Sequence, residues 1–65
     1  MITTEFVRRL RALRVSKSEL AIAIGRKPYY LSAILSQERL DDQEANEMLA
    51  TAIRLFDERI ATFTS

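Results

Sequence analysis

Apolar positions recur at helical spacing along most of the chain. Over residues 4–15, Phe6, Leu10 and Leu13 fall at i, i+4 and i+7 on one face, while Arg8, Arg9, Arg11 and Arg14 spread over the remainder. This pattern predicts an amphipathic helix whose apolar stripe needs a partner. Ser16-Lys17-Ser18-Glu19 then has the form of a capping box. The Ser16 hydroxyl accepts from the amide of Glu19, and the Glu19 carboxylate reaches back to the amide of Ser16. A second helix is expected from here, with Leu20, Ala21 and Ile24 as its buried stripe. Its end is marked by Gly25, the single glycine of the chain, which takes a left-handed conformation without a Cβ penalty. At about two turns this helix is too short to stand alone, so packing must hold it.

Pro28 suits the first turn of a third helix, expected over residues 28–37. There Leu31, Ile34 and Leu35 point one way and Tyr29, Ser32, Ala33 and Ser36 the other. Asp41 or Asp42 is a good N-cap for a final helix, with Glu44 placed to meet its dipole. That helix is expected to run over residues 41–63. Leu49, Ile53, Phe56, Ile60 and Phe63 step by four, three, four and three, a seam of heptad type, and Met48, Ala52 and Leu55 widen the stripe on one side. No strand pattern, repeat or linker interrupts the series. The expected fold is all-α: one compact four-helix domain over residues 1–65 with a long C-terminal helix.

Composition narrows the chemistry. A 65-residue chain has room for one small domain, and such a domain buries only about 60% of its unfolded surface. With no cysteine and no histidine, neither disulfides nor an ordinary zinc site can staple it, and no metal or other cofactor is expected. The same absence removes histidine as an acid–base group and cysteine as a nucleophile, there is no Gly-rich phosphate loop, and the carboxylates cluster as caps and surface residues. An enzyme is therefore not expected. No apolar run approaches the ~20 residues that cross a bilayer. The expected location is the cytoplasm, with no membrane partner and no evident small-molecule ligand.

The net charge of +1 conceals an asymmetry. Residues 1–39 hold eight basic and three acidic side chains, a net +5, whereas residues 40–65 hold two basic and six acidic ones, a net −4. A polyanion would be drawn to the first part and repelled by the second.

Residues 17–36, KSELAIAIGRKPYYLSAILS, resemble the helix-turn-helix of the phage repressor, Cro and Xre family. That family places an alanine four residues before the turn glycine, with branched apolar residues beside the alanine and before the glycine; Ala21, Leu20, Ile24 and Gly25 match. Leu31 and Ile34, six and nine residues after the glycine, stand where apolar residues pin the second helix of the motif to the first. Two positions differ from the usual pattern: Arg26 stands where an apolar residue is common, and Pro28 where a polar one is.

The resemblance implies a helix-turn-helix over residues 16–37, with residues 28–37 as the recognition helix of a transcriptional regulator binding double-stranded DNA. Lys27 and Tyr29 would enter the major groove first, followed by Ser32, Ala33, Ser36 and Gln37. Ser16, Lys17, Ser18 and Arg26 would hold phosphates, with Arg8 and Arg11 of the first helix as further candidates. The seam Leu49, Ile53, Phe56, Ile60 and Phe63 is longer than the short helices can cover, which implies a homodimer on an inverted repeat. Such a protein is expected to be a nucleoid-associated repressor from a bacterium or its phage or plasmid. Two other readings stand beside it. One is a helical interaction module, an antitoxin, adaptor or inhibitor, whose basic face meets an acidic protein. The other is a single-strand binder stacking bases on Tyr29 and Tyr30.

Overall fold

The computed structural model describes residues 1–64, in four helices that take up the expected order: α1 (Thr3–Ala12), α2 (Lys17–Ala23), α3 (Tyr30–Ile34) and α4 (Asp42–Thr64). Among the described residues there is no strand, only an isolated antiparallel bridge between Ile2 and Arg39. No helix among them is long and apolar enough to cross a membrane.

α1 is shorter than the pattern over residues 4–15 suggests because it ends in a turn that the arginine-rich sequence does not announce. Arg14 takes a left-handed conformation (φ 56°). Its N–H donates to the Arg11 carbonyl at 3.0 Å, and the Val15 N–H donates to the Leu10 carbonyl at 3.4 Å. These are the two bonds of a Schellman motif, accompanied by burial of both Val15 and Leu10. The chain turns there and enters α2. Phe6 and Leu10 of the expected stripe are buried, and Leu13 is half-buried at its edge.

α2 starts where expected, with the Ser16 hydroxyl accepting from the Glu19 amide at 3.1 Å. The other half of the capping box is replaced. The Glu19 carboxylate forms an ion pair with Arg59 of α4, and Arg59 also donates to the Arg14 carbonyl at 2.8 Å. A guanidinium offers the carboxylate a charge-assisted bond, stronger than one from a neutral amide. This pair ties α4 to both ends of the α1–α2 connection.

α3 is the largest departure from expectation. Instead of spanning residues 28–37 it is a five-residue helix, Tyr30–Ile34. Pro28 lies in the turn before it, closed by the Tyr30 N–H donating to the Lys27 carbonyl at 2.9 Å. At the other end the Ser36 and Gln37 amides bond three residues back, to Ala33 and Ile34. The chain then leaves the helix to meet α1: the Gln37 carbonyl accepts from the Thr3 hydroxyl at 2.5 Å and the Glu38 carbonyl from the Thr3 amide at 3.0 Å. Continuing the helix would forfeit these tertiary bonds.

Asp41 proves to be the α4 cap, its Oδ2 accepting from the Glu44 amide at 3.1 Å. Asp42 pairs with the terminal ammonium of Met1, which also donates to the Leu40 carbonyl at 2.9 Å; the ammonium bond holds the Asp42 carboxyl below its ordinary value. The core gathers one stripe from each helix: Phe6 and Leu10, Leu20 and Ala21, Leu31, then Ala45, Met48, Leu49 and Ala52, with Val15 and Leu40 from the connections. Among the described residues no polar or charged one is buried. The buried residues described in α4 come from its first half; Leu55 still packs on the edge of the core and Arg59 still bonds the α1–α2 connection, so this 23-residue helix leaves the head gradually and only its end projects.

Candidate nucleic-acid interface

The turn between α2 and α3 is set by Gly25. Its φ of +80° is the left-handed value that disfavours any side chain. The Gly25 N–H donates to the Ile22 carbonyl at 3.0 Å and the Arg26 N–H to the Ala21 carbonyl at 2.8 Å, a second Schellman motif. A Cβ on Gly25 would meet nothing within 4 Å, so the requirement for glycine is purely conformational. Ala21 is fully buried, as are Leu20 and Leu31, while Ile24 and Ile34 are half-buried. A small residue at Ala21 lets α2 approach the segment that follows the turn, and Leu31 pins α3 beneath it.

Every candidate base-reading residue is exposed: Lys27, Tyr29, Ser32, Ala33, Ser36 and Gln37. They lie on or beside one short helix, α3. Tyr29 is 63% exposed, with the Lys27 ammonium 5.9 Å from the centre of its ring. The Ser36 hydroxyl donates to the Ala33 carbonyl at 2.8 Å, leaving its lone pairs as acceptors. Ser32 and Ala33 offer small exposed surface that permits close approach.

The phosphate candidates are less uniform. Ser16, Lys17 and Ser18 are exposed together at the start of α2, with the two serine oxygens 3.3 Å apart. Arg8 and Arg11 share a face of α1. Arg8 is paired with Glu5, which also accepts from Arg9 at 3.1 Å. The Arg9 bond first, with the charge and bond of Arg8 after it, holds the Glu5 carboxyl below its ordinary value against an opposing effect of desolvation that is second only to the Arg9 bond.

Arg26 points into different surroundings from those its expected role suggests. Its guanidinium lies 5.1 Å from the centre of the Tyr30 ring, in a cleft of about 550 Å³ that also takes in Asp41, Glu44 and Glu47. Tyr30 is half-buried, and its hydroxyl donates to Glu44 Oε1 at 3.0 Å. That bond, with desolvation and the Glu44 charge, raises the phenol above its ordinary value, and Arg26 pulls weakly the other way. Tyr30 is thus turned toward α4 and separated in role from Tyr29. No local sequence signal marks the Tyr30–Glu44 bond, which joins positions 14 residues apart.

The expected seam on α4 divides. Leu49 is only 7% exposed and belongs to the core, and Phe56 is half-buried. Ile53, Ile60 and Phe63 are 49%, 45% and 93% exposed. Comparison of the chain with protein-family models, curated proteins and solved structures returned no significant match.

Proposed function

We propose that the chain is a transcriptional regulator that binds double-stranded DNA as a homodimer, with α3 and the turn before it entering the major groove. The observation that carries this reading is the α2–turn–α3 unit. A buried alanine and a left-handed glycine set the angle, and the outward residues Lys27, Tyr29, Ser32, Ala33, Ser36 and Gln37 are all exposed on the segment so presented. Small side chains on that strip favour close approach to base edges. Serine suits several bases and alanine a thymine methyl. With no arginine or asparagine in the centre of the strip, sequence preference rests on Lys27, Tyr29 and Gln37. Lys17, with Ser16 and Ser18, contacts phosphate. Arg26, facing Tyr30 and three carboxylates, contributes less than its charge suggests. Occupation of a promoter by such a dimer would repress it.

The test is a binding isotherm on random-sequence duplex DNA at several salt concentrations. Affinity should fall steeply as salt rises, because neutralised phosphates release counterions. Affinity that stays level from low to moderate salt sinks the reading. Selection of bound duplexes from a random pool should then recover an inverted repeat.

A second reading, a helical module that binds an acidic protein, draws on the exposed apolar edge of α4, which serves any helical partner as well as a second copy. Lys17→Glu with Lys27→Glu separates the two. Loss of DNA binding supports the first reading, whereas a protein complex that forms without any DNA affinity supports the second.

A further inference from the structure

Beyond the head, α4 continues as a helix with one wet apolar edge. Ile53, Ile60 and Phe63 are 49%, 45% and 93% exposed, with half-buried Phe56 between them. A compact monomer of 7.5 kDa exposes about 4250 Å², whereas this chain exposes 4671 Å². The extents of 40 × 22 × 17 Å fit a head with a projecting helix. A surplus of this order, covered on both members of a pair, falls short of the roughly 1,000–1,200 Å² of a specific interface, so contact by the heads must supply the remainder.

Two features identify a second copy of the same chain as the cover. The first is spacing. With Asn46 included, positions 46, 49, 53, 56, 60 and 63 step by three, four, three, four and three. This series reads the same in both directions about a point between Arg54 and Leu55. An antiparallel pair centred there stacks Asn46 on Phe63, Leu49 on Ile60 and Ile53 on Phe56, so every seam residue meets a seam residue.

The second feature is a receptor for that seam on the same molecule. A groove of about 430 Å³ runs between α1 and α4, with Asn46, Leu49, Ala50 and Ile53 on one side and Ala12 and Leu13 on the other. Residues at i, i+3, i+4 and i+7 form the four-membered hole that accepts a knob from a facing helix. The reversal about residues 54 and 55 places Ile60 of the second copy over this hole and Phe63 beside Asn46. Knob and hole on one surface are the condition for a two-fold interface that closes. A parallel pair would instead present to this hole the Leu49 of the second copy, which is only 7% exposed and held in its own core.

We propose that the chain forms an antiparallel homodimer through α4, with Ile60 and Phe63 of each copy seated in the α1–α4 groove of the other. This rests on the homodimer within the proposed function and is independent of DNA.

The chain contains no cysteine, so disulfide trapping is clean. Ala50 and Asp57 are exposed and flank the seam on the same side, where antiparallel helices bring such positions together. Chains carrying Ala50→Cys and Asp57→Cys, mixed in equal amounts and oxidised, should give mainly the mixed 50–57 disulfide. Wild-type chain should sediment as a dimer at micromolar concentration, and Ile60→Asp should sediment as a monomer with unchanged helix content. A wild-type dimer that yields mainly same-site disulfides overturns the antiparallel arrangement and leaves the homodimer standing. A wild-type monomer overturns both, including the case in which the groove captures a different protein.

Discussion

Arg14 and Gly25 hold the same place in two successive helix ends, one residue beyond the C-caps Leu13 and Ile24, in left-handed backbone. Gly25 does so without penalty, while an L-residue there costs roughly 1–2 kcal/mol. Gly25→Ala should therefore lower stability by about 1 kcal/mol with no steric clash, read from the urea midpoint at unchanged slope. Arg14→Gly should act in the opposite sense, raising stability by about 0.5 kcal/mol once the greater flexibility of glycine in the unfolded chain is set against the relief of strain. Equal or inverted signs would show that the two turns are not equivalent. At Tyr30 the prediction concerns pH. Its bond to Glu44 raises the phenol in the folded state. The stability it contributes is therefore complete below the unfolded value and is lost as pH rises through the folded one. In a Tyr29→Phe chain, the ultraviolet titration of the remaining tyrosine should lie above its ordinary range and return toward it on Glu44→Ala.

Among the elements, α2 and α4 were legible because their starts are written locally: Ser16 and Asp41 stand three residues before the amides they accept from. Ser16→Ala should cost about 1 kcal/mol, measured by thermal melting. α3 was legible in position and in its buried face but not in length, since what stops it is Thr3, more than 30 residues away in sequence. The same holds for Arg59. Spacing placed it on a long helix, but nothing near it announces Glu19 or the Arg14 carbonyl as its partners. Arg59→Ala removes an ion pair and a hydrogen bond between half-exposed groups, so it should cost only about 1 kcal/mol in the urea midpoint. For the candidate interface, the turn and outward strip could be read from Ala21, Gly25 and Leu31. The diversion of Arg26 and Tyr30 toward α4 could not, because it depends on where Glu44 comes to lie.

At the scale of the molecule, the charge division of the chain is blurred where α4 enters the core. Lys17, Lys27 and the α1 arginines belong to the head, but so do Asp41, Asp42, Glu44 and Glu47 at the start of α4. Lys17→Glu should weaken binding to duplexes of any sequence about equally and flatten the salt dependence, while changes at Tyr29 or Gln37 should alter which sequences are preferred, as read by filter binding or anisotropy. The end of α4 has a further consequence. Arg59 ties α4 to the head, and residues 60–63 beyond it are exposed. Amide hydrogens there should exchange with solvent far sooner than those around Leu20 and Leu31 in a dilute sample. If two chains share that stretch, its protection should lengthen with protein concentration while that of the head stays constant. A single isotope-exchange series at two dilutions would thus show where one molecule ends and a pair begins.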